Sequence, residues 1–402
     1  MGGIVVVGGG QAAASLVAKL RTLGYEGAVT LISEEPVPPY QRPPLSKAYL
    51  LGEMTEERLY LRPAGFYADQ NIDLRLSTRA DAIDPAAKTV TAGAEVISYD
   101  QLALCTGSVP RRLPARIGGD LGGVYEVRTL ADVDRMAPAF TEGRRVLVIG
   151  GGYIGLEAAA VASKLGLEVT LVEMADRILQ RVAAPATSDY FRDLHTAHCV
   201  RIVEGVGLDH LEGNGRVHAA HLTDGSTLEI DFAIVGVGIE PAAGLAEAAG
   251  LAIENGIRTD SQGRTSDPSI WAAGDCASLP YRGGRIRLES VQNAIDQAEA
   301  VAANMLGAAT EYVPKPWFWS DQYDVKLQIA GLNTGYDRVV TRMGEKTGSV
   351  SHWYYRGAEL LAVDAMNDAR NYMIGKRLIE AGKSPAPEVV GDPDTDMKAL
   401  LR

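Results

Sequence analysis

Residues 145–173 read RVLVIGGGYIGLEAAAVASKLGLEVTLVE. An apolar run, 146–149, enters three glycines. An alanine-rich stretch of helical pattern follows, and a second apolar run ends on Glu173. This is the strand–turn–helix–strand unit that binds a dinucleotide. Gly150 permits the tight turn, Gly152 lets the backbone approach a pyrophosphate, and Gly155 lets helix and strand touch. The phosphates are expected at the positive end of the helix. Glu173 ends the second strand 18 positions past Gly155. A carboxylate there accepts the ribose 2′-hydroxyl of NAD and repels a 2′-phosphate. Asp176 adds to that repulsion, whereas Arg177 and Arg181 further along leave NADP open.

The same unit opens the chain. An apolar run at 4–7 enters GGGQAA at 8–13, and a helical pattern over 11–23 ends near Gly24. Gly8 and Gly10 take the first two glycine roles, and Ala13 is the small residue at the third. The strand at 29–33 leads into Glu34, a carboxylate able to accept both ribose hydroxyls. One such turn holds one dinucleotide, so two turns predict two dinucleotides and electrons passing between them.

The rest of the chain sets bounds. It has 402 residues, enough for two or three domains, with 46% hydrophobic and 22% charged residues, as in an ordinary soluble globular protein. A net charge of −12 argues against broad binding to nucleic acid or anionic membranes. Cys105, Cys199 and Cys276 lie far apart, with neither a disulfide framework nor a zinc spacing. With the first strand starting almost at once and no apolar run long enough to span a bilayer, a cytoplasmic location is expected.

Several further segments can be placed. PPYQRPPLSKAYL, 38–50, is an extended entry with a short helix over 46–51. YDQLALCTGSVP, 99–110, ends a strand in a Thr-Gly turn. Pro, Gly and Arg around 111–124 mark a crossover between domains. Short strands fill 200–236. SDPSIWAAGDCA, 266–277, is a strand and turn, and 290–306 is an amphipathic helix. Beyond 314, aromatics concentrate in PWFWSDQY (316–323) and HWYY (352–355). Strands are expected at 325–329, 338–341, 350–355 and 360–364, then a helix over 368–381 and a surface loop at 384–396. The fold class is α/β, with two Rossmann-like dinucleotide-binding domains and a small C-terminal α+β domain.

Taken together, GGGQAA, YQRPPLSKAYL, LALCTGSVPR, GGGYIGLEAAA, VGVGIEP, TSDPSIWAAGDCA, ESVQNA and PWFWSDQY resemble the NADH-dependent ferredoxin reductases, the putidaredoxin reductase-like group of two-nucleotide flavoproteins. The resemblance covers nearly the whole chain. It implies a discontinuous FAD domain (1–110 and 236–312), an NAD domain (111–235) and a C-terminal domain (313–402). It implies FAD contacts at Ala12, Glu34, Arg42, Lys47, Arg128, Asp275 and Val291, whose amide would start a helix aimed at the flavin. It implies nicotinamide-nucleotide contacts at Ile154 and Gly238 beside those named above. Lys47 is similar to the family lysine beside flavin N5, Glu157 to its partner, and Trp319, with Trp317, to aromatics near the flavin. The implied reaction is hydride transfer from NADH to FAD, then single-electron transfer to a [2Fe–2S] ferredoxin serving a cytochrome P450 or ring-hydroxylating oxygenase. Arg111 with Arg112, the arginines within 282–287, and Lys376 with Arg377 are candidate docking charges. Related enzymes that work through a redox cysteine carry it soon after the first unit, and 38–50 has none. The competing readings are a rubredoxin reductase, an NADH oxidase, or an NADH-sensing binding protein of the apoptosis-inducing-factor kind.

Overall fold

In the computed structural model, which describes residues 3–63 and 65–402, the chain divides into two compact units. The first comprises Met1–Arg42, Thr55–Val109 and Ile239–Pro316; the second comprises Pro43–Met54, Pro110–Gly238 and Trp317–Arg402.

The first unit is built on the strand Gly3–Val7, whose side chains alternate into two cores. Ile4 and Val6 enter one, and Val5 and Val7 the other. Burial on both faces is what a central parallel strand requires and explains its uninterrupted apolar run. The parallel order is Ile72–Arg75, Val29–Ile32, Gly3–Val7, Glu95–Leu104, Ile270–Ala272. The helices Gln11–Thr22 and Val291–Met305 share one core through Leu16, Leu20, Ala298 and Val301. This brings the start of the chain against residues nearly 300 positions later, so the first unit is discontinuous in sequence.

The second unit holds two five-stranded sheets of different character, beside a small antiparallel one of Leu208–Gly213, Val217–Leu222 and Thr227–Glu229. Arg201–Glu204, Glu168–Glu173, Arg145–Ile149, Phe232–Val235 and Val124–Tyr125 form a parallel sheet in that order. Trp317–Gln322, Val325–Gly331, Glu359–Met366, Val350–Arg356 and Arg338–Met343 form an antiparallel one. The helix Ala369–Glu380 packs on that sheet, where Gly375 allows the approach of Val363 and Trp353. The segment Pro43–Met54 groups with this unit. The aromatic cluster at 316–323 is a strand, which its irregular mix of bulky and polar residues did not announce. The stretch read as a surface loop carries the short helix Pro387–Gly391, anchored by the fully buried Val390. No helix among the described residues is long and apolar enough to cross a membrane.

Two buried histidines of this unit set a pH prediction. Burial lowers His195 and His352 each to about 4, while the unfolded chain binds these protons near pH 6.5. Stability from both is therefore full above pH 6.5 and lost as pH falls toward 4. Buried Asp364 opposes this. Burial raises it to about 6 against hydroxyl donation from Tyr354 and Thr187, so it favours the folded state as pH falls through 6. Two histidines outweigh one carboxylate, and a net loss of about 2–4 kcal/mol is expected between pH 6.5 and 4. Urea melts over that range measure it. His352→Gln should flatten the slope, and a wild-type stability that is level or rises on acidification would refute the account.

Candidate functional site

The two glycine turns are made alike. Gly8 has φ +134° and Gly150 φ +106°. A Cβ would lie 2.1 Å from the Cys105 carbonyl oxygen at Gly8 and 2.4 Å from that of Gly236 at Gly150, so only glycine serves at these positions. Gly10 and Gly152 differ. Their φ values, −108° and −80°, suit any residue, and a Cβ on either meets nothing within 4 Å. No protein atom requires glycine there, and the space beside each turn is open to a ligand. Each turn opens a helix, Gln11–Thr22 or Tyr153–Lys164, whose N-terminus has no side-chain cap. The free amides of the first turn face that space, and the chemistry fits a pyrophosphate at both turns. At the third position Gly155 avoids a 2.1 Å collision with the Gly150 carbonyl, and Ala13, fully buried, occupies the corresponding place in the first turn. Ala12 lies under Gly274, where a Cβ would come within 3.0 Å of it.

Strand register aligns the two glycine units. Val7 pairs with Ile32 and Ile149 with Val172, so Ser33 corresponds to Glu173. The Glu173 carboxylate accepts from Gly151 N–H at 2.7 Å and Ala175 N–H at 2.8 Å. It is thereby fixed at the strand end beside the turn. Glu34 lies one residue beyond Ser33, with its side chain 71% exposed and 3.8 Å from Arg79. Glu35, which the sequence reading did not single out as a site residue, follows it in the bend after the strand. It accepts from Arg42 at 2.6 Å and from Tyr40 hydroxyl at 2.5 Å. Burial works against the Arg42 charge, but Tyr40, Glu35 and Asp275 outweigh it and raise the guanidinium pKa. The structure thus gathers Arg42 and Asp275 at the first cradle. Asp275 also accepts from Ser108 hydroxyl at 2.9 Å. Val291 is the first residue of its helix. The cap there, Ser290 hydroxyl, accepts from Asn293 N–H, which leaves the Val291 amide to an external acceptor.

In the second unit, Leu45–Tyr49 is a π-helical turn interrupted at Lys47, whose φ −133° and ψ −110° leave the helical region. Such bulges re-aim a side chain, and here Lys47 Nζ is 3.0 Å from Glu157 Oε1. Glu157 lies one turn into the helix that follows the second glycine turn, with its side chain only 7% exposed. Ser46 hydroxyl donates to its Oε2 at 3.2 Å and Ser320 hydroxyl to its Oε1 at 2.7 Å. Burial raises the Glu157 pKa, while Lys47 and the two hydroxyls work to hold it ionised. Asp321 stands 3.8 Å from Lys47 as a second, more exposed counter-charge. Ser46, Ser320 and Asp321 carried no sequence signal, because a lone hydroxyl or acid gains meaning only from what folds against it.

Alternation along Trp317–Gln322 places Phe318 and Ser320 against Tyr153 and Glu157 of the helix. Trp319 and Trp317 lie on the opposite face with ring centroids 5.5 Å apart, both partly exposed. Around the second turn Ile154 is exposed. Gly238, at φ +108°, accepts from Arg111 N–H. Arg177 is spent on Ser188 and the Ala183 carbonyl, whereas Arg181 is exposed. Arg128 directly precedes Thr129, the N-cap of the helix Leu130–Met136.

The chain is similar to known proteins over nearly its whole length. The 5,5′-dehydrodivanillate O-demethylase ferredoxin reductase subunit of Sphingobium sp. is 43% identical over 98% of this chain and 97% of its own. The rubredoxin-NAD(+) reductase of Pseudomonas putida is 38% identical over 90% of this chain and 95% of its own. The crystal structure of the covalent putidaredoxin reductase–putidaredoxin complex superposes with a TM-score of 0.96 at 38% identity, covering 100% of this chain and 98% of that one. Residues 317–401 match the reductase C-terminal family. With residues 2–298 matching its profile, the chain belongs to the pyridine nucleotide-disulphide oxidoreductase family.

Proposed function

We propose that the chain is an FAD-containing NADH:ferredoxin reductase. It passes electrons from NADH to a [2Fe–2S] ferredoxin that serves a cytochrome P450 or a ring-hydroxylating oxygenase. The observation that carries this reading is the pair of glycine turns, one per unit, each open where no part of the protein needs it open. The relatives matched over nearly their whole length include a ferredoxin reductase subunit and a reductase solved in covalent complex with putidaredoxin. Rubredoxin reductase matches less of the chain. We also place the protein in the cytoplasm. Residues 1–110 with 236–312 serve FAD, 111–235 serve NAD and 313–402 serve the flavin and its acceptor.

Bound FAD supplies the acceptor for the hydride of NADH and releases the electrons singly. The residues do the rest. Gly8, Gly10 and Ala13 with the amides at 11–13 hold its pyrophosphate. Glu34 would take the ribose, with Glu35 and Arg42 paired beside it. Asp275 and the Val291 amide hold the far end. Gly150, Gly152, Gly155 and Glu173 orient NADH, and Ile154, Gly238 and Arg181 border it. Lys47, held by Glu157, would lie beside flavin N5, with Trp319 and Trp317 near the ring and Arg128 a further contact. The buried cysteines do not suit a thiol relay. Cys105 and Cys276 are buried, and burial pushes both thiols above their ordinary pKa. The 38–50 segment holds no cysteine.

Anaerobic mixing of the yellow protein with NADH should bleach the flavin within milliseconds. A [2Fe–2S] ferredoxin should restore the colour faster than oxygen or rubredoxin does. Faster return with oxygen indicates an oxidase, with rubredoxin a rubredoxin reductase, and either overturns the proposal. NADH should be preferred over NADPH. Glu173→Gln should narrow that preference roughly tenfold by removing the charge that repels a 2′-phosphate. An unchanged ratio would remove Glu173 from the site.

A further inference from the structure

The hydroxyl that Ser320 donates to Glu157 is itself held from behind. Gln322, two residues along the same strand and on the same face, donates its Nε2 to Ser320 Oγ at 3.1 Å. Gln322 Oε1 lies 2.8 Å from His195 Nε2. His195 Nδ1 lies 3.1 Å from Tyr323 hydroxyl. Ser320, Gln322 and His195 are buried. An amide oxygen only accepts, so His195 Nε2 carries the proton and Nδ1 accepts from Tyr323. The directions are then settled throughout: Tyr323 donates to His195, His195 to Gln322, Gln322 to Ser320, and Ser320 to Glu157. Every arrow ends on one carboxylate.

Tyr323 marks the far end of this chain and is costly where it stands. It occupies the first position of the two-residue turn between Trp317–Gln322 and Val325–Gly331, with φ +56°. Positive φ in such turns belongs to Gly, Asn or Asp, and a bulky residue is strained there. What the tyrosine adds is a ring stacked on His198, with centroids 3.7 Å apart and planes 14° apart, and the hydroxyl on His195. Strain retained at such a position points to the side chain that keeps it.

We propose that Tyr323, His195 and Gln322 are positioning residues for the hydride-transfer site. Their aligned donors orient Ser320 onto Glu157 and hold that carboxylate in register with Lys47. The inference rests on the reading above that Lys47 and Glu157 serve hydride transfer. The chain polarises and does not conduct, since the Gln322 amide is a poor conduit for a proton. Successive donors in a buried chain strengthen one another, so a change at Tyr323 or His195 reaches Glu157. Lys47 is the charge facing Glu157, with Asp321 beyond it. At the far end, His198, Cys199 and the Ser163 hydroxyl face Tyr323.

Two measurements test this. With ring-¹⁵N histidine, His195 is one of six signals. It should be neutral and protonated on Nε2 from pH 5.5 to 8, in protein with or without NADH. A proton on Nδ1, or an imidazolium at neutral pH, overturns the chain as drawn. The second measurement compares Gln322→Glu with Gln322→Met at equal FAD content. The carboxylate replaces the amide donor with an acceptor that draws the Ser320 proton away from Glu157, whereas Met only removes the link. Gln322→Glu should move the acid limb of NADH-driven flavin reduction up by about one pH unit, with little change in NADH affinity and a smaller shift for Met. Superimposable pH profiles overturn the proposal. Where a Gln322 variant misfolds, Tyr323→Phe removes one hydroxyl and should by itself shift the His195 signal. A wild type that NADH does not reduce refutes the functional reading instead, and the His195 tautomer still reports on the chain.

Discussion

Gly10→Val should yield a folded but colourless protein, and Gly152→Val a yellow one that NADH reduces at least about a hundredfold less efficiently. Both follow from one observation, that a side chain at either position meets no protein atom within 4 Å. Folding has no objection to valine at these extended positions. A pyrophosphate lying on the amides of the first helical turn does, because the isopropyl group occupies its place and screens the amides from it. Gly8→Val is the control. There the substitution meets the Cys105 carbonyl at 2.1 Å with φ +134°, and the fold itself should fail. FAD content, far-ultraviolet circular dichroism and the anaerobic reduction rate separate the three. If Gly10→Val retains full FAD, or Gly152→Val is reduced at the wild-type rate, the open spaces are not the nucleotide cradles.

Both glycine units were legible because strand, turn, helix and acid are contiguous, and each glycine role follows from its offset within the turn. The discontinuity of the first unit was legible only through resemblance to known proteins. Nothing local in 290–306 says that its apolar face packs on Leu16 and Leu20. Counting from Ala13 reached the strand end, where two acids stand side by side in the bend after Ile32. Only the fold separates them, leaving Glu34 exposed and tying Glu35 to Arg42 and Tyr40.

The Lys47 site was half legible. The lysine and the glutamate stood out by resemblance. The hydroxyls that hold the carboxylate come from residue 46 and residue 320, and no spacing relates them. The strand that brings Ser320 is the aromatic stretch whose alternation was obscured by bulky residues on both faces. A π-helical turn is likewise invisible in LSKAY, since the irregular backbone at Lys47 reflects the tertiary contact it makes rather than any local preference.

Glu157→Ala should cost about 3–5 kcal/mol of stability and slow flavin reduction strongly, for separable reasons. The pair is enclosed, with Glu157 7% and Lys47 17% exposed, and removing one partner of such a pair leaves the other charge buried without compensation. Three donors, from Lys47, Ser46 and Ser320, then converge on a void. Asp321 recovers part of the loss, as it is 3.8 Å from Lys47 and can approach. The double variant Lys47→Met/Glu157→Met removes both charges and keeps most of the volume, and stability should return to within about 1–2 kcal/mol of wild type. Hydride transfer should not return, because the ammonium that Glu157 keeps in place is gone. Denaturant melts and anaerobic stopped-flow on the same three proteins decide it. A double variant that regains the wild-type reduction rate would reduce the pair to a packing element, and a single variant that loses less than about 1 kcal/mol would mean the pair is far more hydrated than its enclosure implies.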